Sequence, residues 1–186
     1  MSIRAGFLIA AVAAGFAAGP AHAEREAPGD AALLARILDA RADSFAALKQ
    51  GRLAPVRGDE VWSAALSPFG LSCRVLEGGA LAAYFCTNAH EVAGEGDAPR
   101  TGLSDEEAGD MVRDIVHAFR KADPALEIEP GASAAAEDRE TLIARAPGRY
   151  VATIDEISLT GDGDENDATV NLTIYAPELA RDPLGD

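Results

Sequence analysis

The chain has 186 residues, 31 of them acidic and 16 basic, for a net charge of −15 at neutral pH. A surface of that sign repels phosphate backbones and anionic lipid, which argues against nucleic-acid and membrane-surface roles. The length suits one domain with a sizeable core once a leader is set aside.

That leader is residues 1–23. Arg4 opens it, residues 5–18 are uncharged and mostly apolar, Gly19 and Pro20 break the run, and Ala21-His22-Ala23 supplies the small residues of a cleavage site. The 14-residue run falls short of the roughly 20 needed to cross a hydrocarbon core, so it reads as a cleavable export signal. No cysteine follows it to accept a lipid, and no membrane anchoring is expected after cleavage. The expected location is periplasmic or secreted, and the expected partner an unknown envelope or extracellular protein.

Residues 24–29 are polar, contain Pro28, and read as a flexible lead-in to a single domain over residues 30–176. Asp30 is placed to cap a helix. Leu34, Ile37, Leu38, Phe45 and Leu48 form its apolar stripe, and Gly51 is placed to end it in a left-handed turn. Arg41 interrupts the stripe, with its stem expected on the core and its guanidinium in water.

Three runs of period-two character follow, at 61–66, 71–76 and 81–87, separated by turn compositions, and they predict an antiparallel meander with Trp62 packed beneath it. Cys73 shares a strand face with Val75, and Cys86 shares one with Ala82 and Tyr84 on the partner strand. These are the only two cysteines, and they lack the Cys-x-x-Cys spacing of a redox pair, so a structural disulfide is expected.

Residues 88–103 read as a loop. Ser104 and Glu107 fit a capping box, and Ala108, Met111, Val112, Ile115, Phe119 and Ala122 then form a helical stripe that Asp123-Pro124 ends. Between 125 and 148 the pattern is ambiguous: Leu126 and Ile128 suit an edge strand, and 134–145 suits either a short helix or, around Leu142 and Ile143, another strand. Runs at 150–159 and 168–175 predict two strands joined by an acidic turn, with Ala168, Val170, Leu172 and Ile174 on one face of the second and Thr169, Asn171, Thr173 and Tyr175 on the other. Residues 177–186 form a loose acidic tail. The fold class expected is α+β, a single antiparallel sheet with helices on one face, in the order α-β-β-β-α-β-β.

Candidate sites are few. Asp162, Asp164, Asn166 and Asp167 put calcium-binding oxygens on one turn, yet Asp167 stands where an EF-hand needs glycine and Thr173 where it needs a bidentate glutamate. His90 beside Glu91 could serve as a general base or metal ligand, but no zinc-ligand spacing accompanies them. His117, between Asp114 and Lys121 off the helical stripe, reads as a surface residue. No nucleophile elbow, Ser-x-x-Lys pair or phosphate-binding glycine loop is present, and no cofactor is implied. Arg57-Gly58-Asp59 and Asn171-Leu172-Thr173 match short adhesion and glycosylation motifs that arise readily by chance. The expectation is therefore a non-enzymatic binding domain, using the sheet face opposite the helices or a groove beside the 88–103 loop. The alternatives are a small hydrolase or metal-dependent enzyme built on His90 and Glu91, and a calcium-binding protein built on the acidic turn.

Overall fold

The computed structural model describes residues 29–79, 81–89, 103–131, 139–159 and 167–179. The leader and residues 180–186 of the acidic tail lie outside them. The runs of alternating residues become strands of one antiparallel sheet: β1 (Lys49–Arg52), β2 (Glu60–Ala64), β3 (Ser72–Gly78), β4 (Leu81–Thr87), β5 (Glu127–Pro130), β6 (Arg139–Ala146), β7 (Arg149–Leu159) and β8 (Asp167–Leu179). Their spatial order is β1-β2-β3-β4-β8-β7-β6-β5, two four-stranded meanders joined at a central β4·β8 seam. This adds three strands, β1, β5 and β6, to the five expected. Within the ambiguous region, β5 is an edge strand over Ile128, and the segment around Leu142 and Ile143 is strand rather than helix. The last strand runs on to Leu179, past the expected end of the domain.

Two helices, α1 (Asp30–Asp39) and α2 (Asp105–Ala122), pack against one face. There Leu34 and Ile37 of α1 and Ile115 and Phe119 of α2 bury with Val75, Tyr84, Leu172 and Ile174 of the sheet, all fully excluded from solvent. Apolar area removed from water on this scale is what holds the layers together. Tyr84 anchors the centre. Its hydroxyl donates to the Leu66 carbonyl and accepts from the Leu66 amide at 3.3 Å, and burial pushes its pKa up to about 12. Cys73 and Cys86 stand directly opposite in register on the same face and are bonded, their Cα atoms 4.1 Å apart.

The capping box forms as the spacing predicts. Ser104 Oγ accepts from the Glu107 amide at 3.4 Å, Glu107 Oε2 accepts from the Ser104 amide and from its hydroxyl, each at 2.9 Å, and these two bonds to the carboxylate hold it below the usual range. The first helix departs from expectation. Asp30 is its first residue and Gly29 its cap, while the Asp30 carboxylate accepts from the amide of Phe69 at 2.7 Å across to the β2–β3 connection. The helix stops at Asp39, and a 3-10 turn (Ala40–Asp43) leads into Ser44 and Phe45, both left-handed at φ 55° and 61°. The turn rotates the Phe45 ring onto Tyr84, with centroids 5.5 Å apart, and burial of that ring offsets the backbone cost. Arg41 stays partly exposed, and its Nε donates to the Tyr175 carbonyl at 2.8 Å. Gly51 caps nothing, since it lies within β1, where its amide donates to Ser63 Oγ.

Candidate functional site

The helix face of the sheet is apolar, and the opposite face is built differently. Register places Val61, Ser63, Arg74, Leu76, Ala83, Phe85, Thr87, Asn171, Thr173, Tyr175, Thr153, Asp155, Thr141 and Ile143 on that second face. Val61, Ala83 and Ile143 are buried there yet stand apart from the main core cluster. Among the described residues the four buried polar side chains, Thr141, Thr153, Asp155 and Thr169, all lie on this face. Three of them are tied locally. Thr141 Oγ1 donates to Asp155 Oδ1 at 2.7 Å, and the hydroxyls of Thr153 and Tyr175 are 3.2 Å apart, so Tyr175 leans over its neighbour. Such bonds are what allow polar groups to leave water without penalty.

Charge separates the two faces further. Over β2, β3, β4, β8 and β7 the register puts two acidic positions of the strands on the second face, Asp155 and, at the first residue of β8, Asp167, with Asp59 just before β2. On the two strands of the β4·β8 seam that face holds no acid between Leu81 and Thr87 or between Thr169 and Tyr175. Glu127 and Glu129 lie out on the β5 edge, where Glu129 pairs with Arg145, whose guanidinium also lies 4.6 Å from the Tyr150 ring centroid.

On the helix side, Asp30, Phe69 and Asp114 are shared by two shallow hollows. One, of about 350 Å³, reaches His117 and Lys121. The other, of about 430 Å³, reaches Leu103 and Glu107 and so adjoins the end of the 88–103 loop. His117 is exposed, as its place off the stripe predicts. A carboxylate pair stands near the start of α2, where Glu140 and Glu156 are directly opposite in register. Burial raises the Glu156 pKa, with Glu140 and Asp105 adding to the rise and Arg113 opposing it.

At the β1 edge, Trp62 shares the helix face with Val75 and packs against the core, with Lys49 Nζ 5.6 Å and the Arg52 guanidinium 5.7 Å from its ring centroid. Glu77 and Glu60 in turn hold those two cations. The two cations of the patch are thus each paired with a glutamate, while Trp62 Nε1 is buried without a hydrogen-bond partner.

His90 and Glu91 lie outside the described residues, as do Asp162, Asp164 and Asn166. Asp167 opens β8, with Leu159 as its register partner. Among the described residues no cluster of three or more His, Cys, Asp or Glu side chains could hold a metal ion. The Arg57-Gly58-Asp59 tripeptide turns the β1–β2 hairpin at φ 53° and 96° for its first two residues, and a Cβ on Gly78 would collide with the Asp59 carboxylate. Asn171 and Thr173 lie within a central strand, as expected. The loop after β4 is anchored at both ends to β8: Asn88 Nδ2 donates to the Ala168 carbonyl at 3.2 Å, Asn88 Oδ1 accepts from the Val170 amide at 2.7 Å, and Leu103 bridges to Ala168.

The alternation at 168–175 already announced the hydroxyl row on β8. What the sequence did not reveal is that β7 and β6 extend that row through Thr153, Asp155 and Thr141, because strand neighbours are set by topology. Among the described residues no helix is long and apolar enough to cross a membrane, and the disulfide is consistent with an oxidising compartment outside the cytoplasm. No protein family, curated protein or solved structure matches the chain.

Proposed function

We propose that this is an exported domain that works by contact rather than catalysis, and that the sheet face opposite the helices is its contact surface. The observation that supports this most is the absence of acids beside the β4·β8 seam of that face, where hydroxyl, amide and apolar side chains line both strands. Protein interfaces are depleted of charge at their centres and enriched in aromatic residues, and Phe85 and Tyr175 supply the latter, each partly buried. Because the partner belongs to the envelope or the medium, it meets this face in the same compartment.

The test is capture. The protein, expressed with its own leader and purified as exported, is immobilised and challenged with envelope extract from cells that also carry the chain. One reproducible captured protein is expected, lost with Thr173→Glu and retained with the helix-side control Asp114→Asn. Capture of nothing, or capture indifferent to Thr173→Glu, overturns the reading.

A further inference from the structure

We infer that the occupant of this face is a second copy of the same chain, packed sheet to sheet about a two-fold axis along the β4·β8 seam. The inference rests on the contact reading above and names its partner.

Symmetry is the first support. The seam is the midline of the sheet, with four strands on either side. A two-fold axis parallel to the strands and lying over that midline sets β4 of one copy against β8 of the other, and β3 against β7. An interface of this kind must be self-complementary, because each residue meets the image of its own neighbourhood.

The side chains beside the seam meet that demand in shape. Register pairs across it are Ala83 with Tyr175, Phe85 with Thr173, and Thr87 with Asn171. The axis stacks the same pairs between copies, so large Tyr175 lies over small Ala83, and large Phe85 over small Thr173. Alternating large and small residues is how facing sheets interdigitate at about 10 Å separation.

They meet it in chemistry as well. Thr, Tyr and Asn side chains both donate and accept hydrogen bonds, so each can face its own kind, whereas like charges cannot. At a net charge of −15, two copies repel across an average surface, and this face holds no acid beside the seam between Leu81 and Thr87 or between Thr169 and Tyr175. The same axis brings the strand carrying Arg74 over the strand carrying Asp155. In extent, six strands about 4.8 Å apart and about seven residues long give a projected area of roughly 550 Å² per copy, which places the pair at the low end of specific interfaces.

The experiment is a mass measurement by sedimentation equilibrium on the exported protein across a concentration series. The wild type is expected at twice the chain mass. Thr173 is offset about 2.4 Å sideways from the axis, half a strand spacing, in sheets about 10 Å apart, so the side chains of its two copies project into the same gap. Thr173→Glu and Thr173→Lys are each expected to run as monomers, because each sets like charges together. A one-to-one mixture of the two is expected to regain the doubled mass, and Thr173→Ser to keep it. Matching circular dichroism among the variants shows that the fold is intact. A wild type that stays monomeric overturns the second copy as occupant while leaving the contact reading to the capture assay, where a foreign protein lost with Thr173→Glu would sustain it. A dimer that persists in both charged variants, or one that the mixture fails to restore, overturns the seam axis.

Discussion

Two segments of this chain carry apolar residues at helical spacing, one from Leu34 to Leu48 and one from Ala108 to Ala122, yet only the second is helical throughout. The second has its own ends: a capping box in front, acids in the first turn, Arg120 and Lys121 in the last, and Asp123 followed by proline behind. The first has a helical start but no internal stop at the place where it ends. What ends it is the sheet, because Tyr84 offers a surface for Phe45 that a continuous helix could not reach, and the Tyr175 carbonyl offers an acceptor for Arg41. Local signals set a helix where they agree with its packing, and tertiary contacts reset it where they do not.

The largest effect that can break this contrast is expected at Phe45. Phe45→Ala should cost about 3–5 kcal/mol in denaturant titration, since it removes a fully buried ring and leaves the left-handed turn with nothing to offset its strain. A loss below about 1 kcal/mol would mean that the turn is set locally after all.

A smaller effect is expected at the second helix. Ser104→Ala should cost about 1 kcal/mol at neutral pH. Because the Glu107 pKa is lowered in the fold, its share of the capping box is present above the ordinary value of 4.5 and is lost as pH falls through the lowered one. Melting curves at pH 7 and pH 3 should therefore show the penalty shrinking in acid, and a penalty independent of pH would remove the glutamate from the account.

The smallest effect sharpens the contrast where the same helix meets the sheet. The Glu156 pKa is raised in the fold, so folding favours its protonated form; that advantage is full below the ordinary value of 4.5 and is lost as pH rises through the raised one. Glu156→Gln should accordingly stabilise the protein at pH 7, by roughly half a kcal/mol or less given its partial exposure, and should make no difference below about pH 4. Equal melting temperatures for wild type and variant at pH 7 would contradict it.

Much of the fold was legible where signals are short-ranged. The β3–β4 hairpin, its cysteine pair and the capped helix could be read because turn residues, strand alternation and caps act within a few positions of one another. β1 could not, since Lys49, Gln50, Gly51 and Arg52 are an edge strand with no buried side to leave an alternating trace. β5 and β6 were ambiguous because a short apolar run suits helix and strand alike until a neighbour is known. Of the candidate site, the hydroxyl row on β8 was visible in the alternation. Its continuation across β7 and β6, and the midline position of β8, depend on pairings far apart in sequence. The stretch without acids beside the β4·β8 seam becomes visible only when those strands are laid side by side.

The order of the strands also fixes the order in which the molecule can be completed. β8 is the last described strand along the chain, yet it fills the middle of the sheet between β4 and β7. During synthesis or translocation the first meander can form its hairpins, and the disulfide can fix one of them, while β4 still presents a row of unpaired amides and carbonyls. β7 presents another, and both edges invite incorrect pairing until residues 167–179 arrive. Joining the halves requires contacts widely separated in sequence, the kind that slow folding most. The strand that reaches the sheet last is the one without which its two halves do not meet.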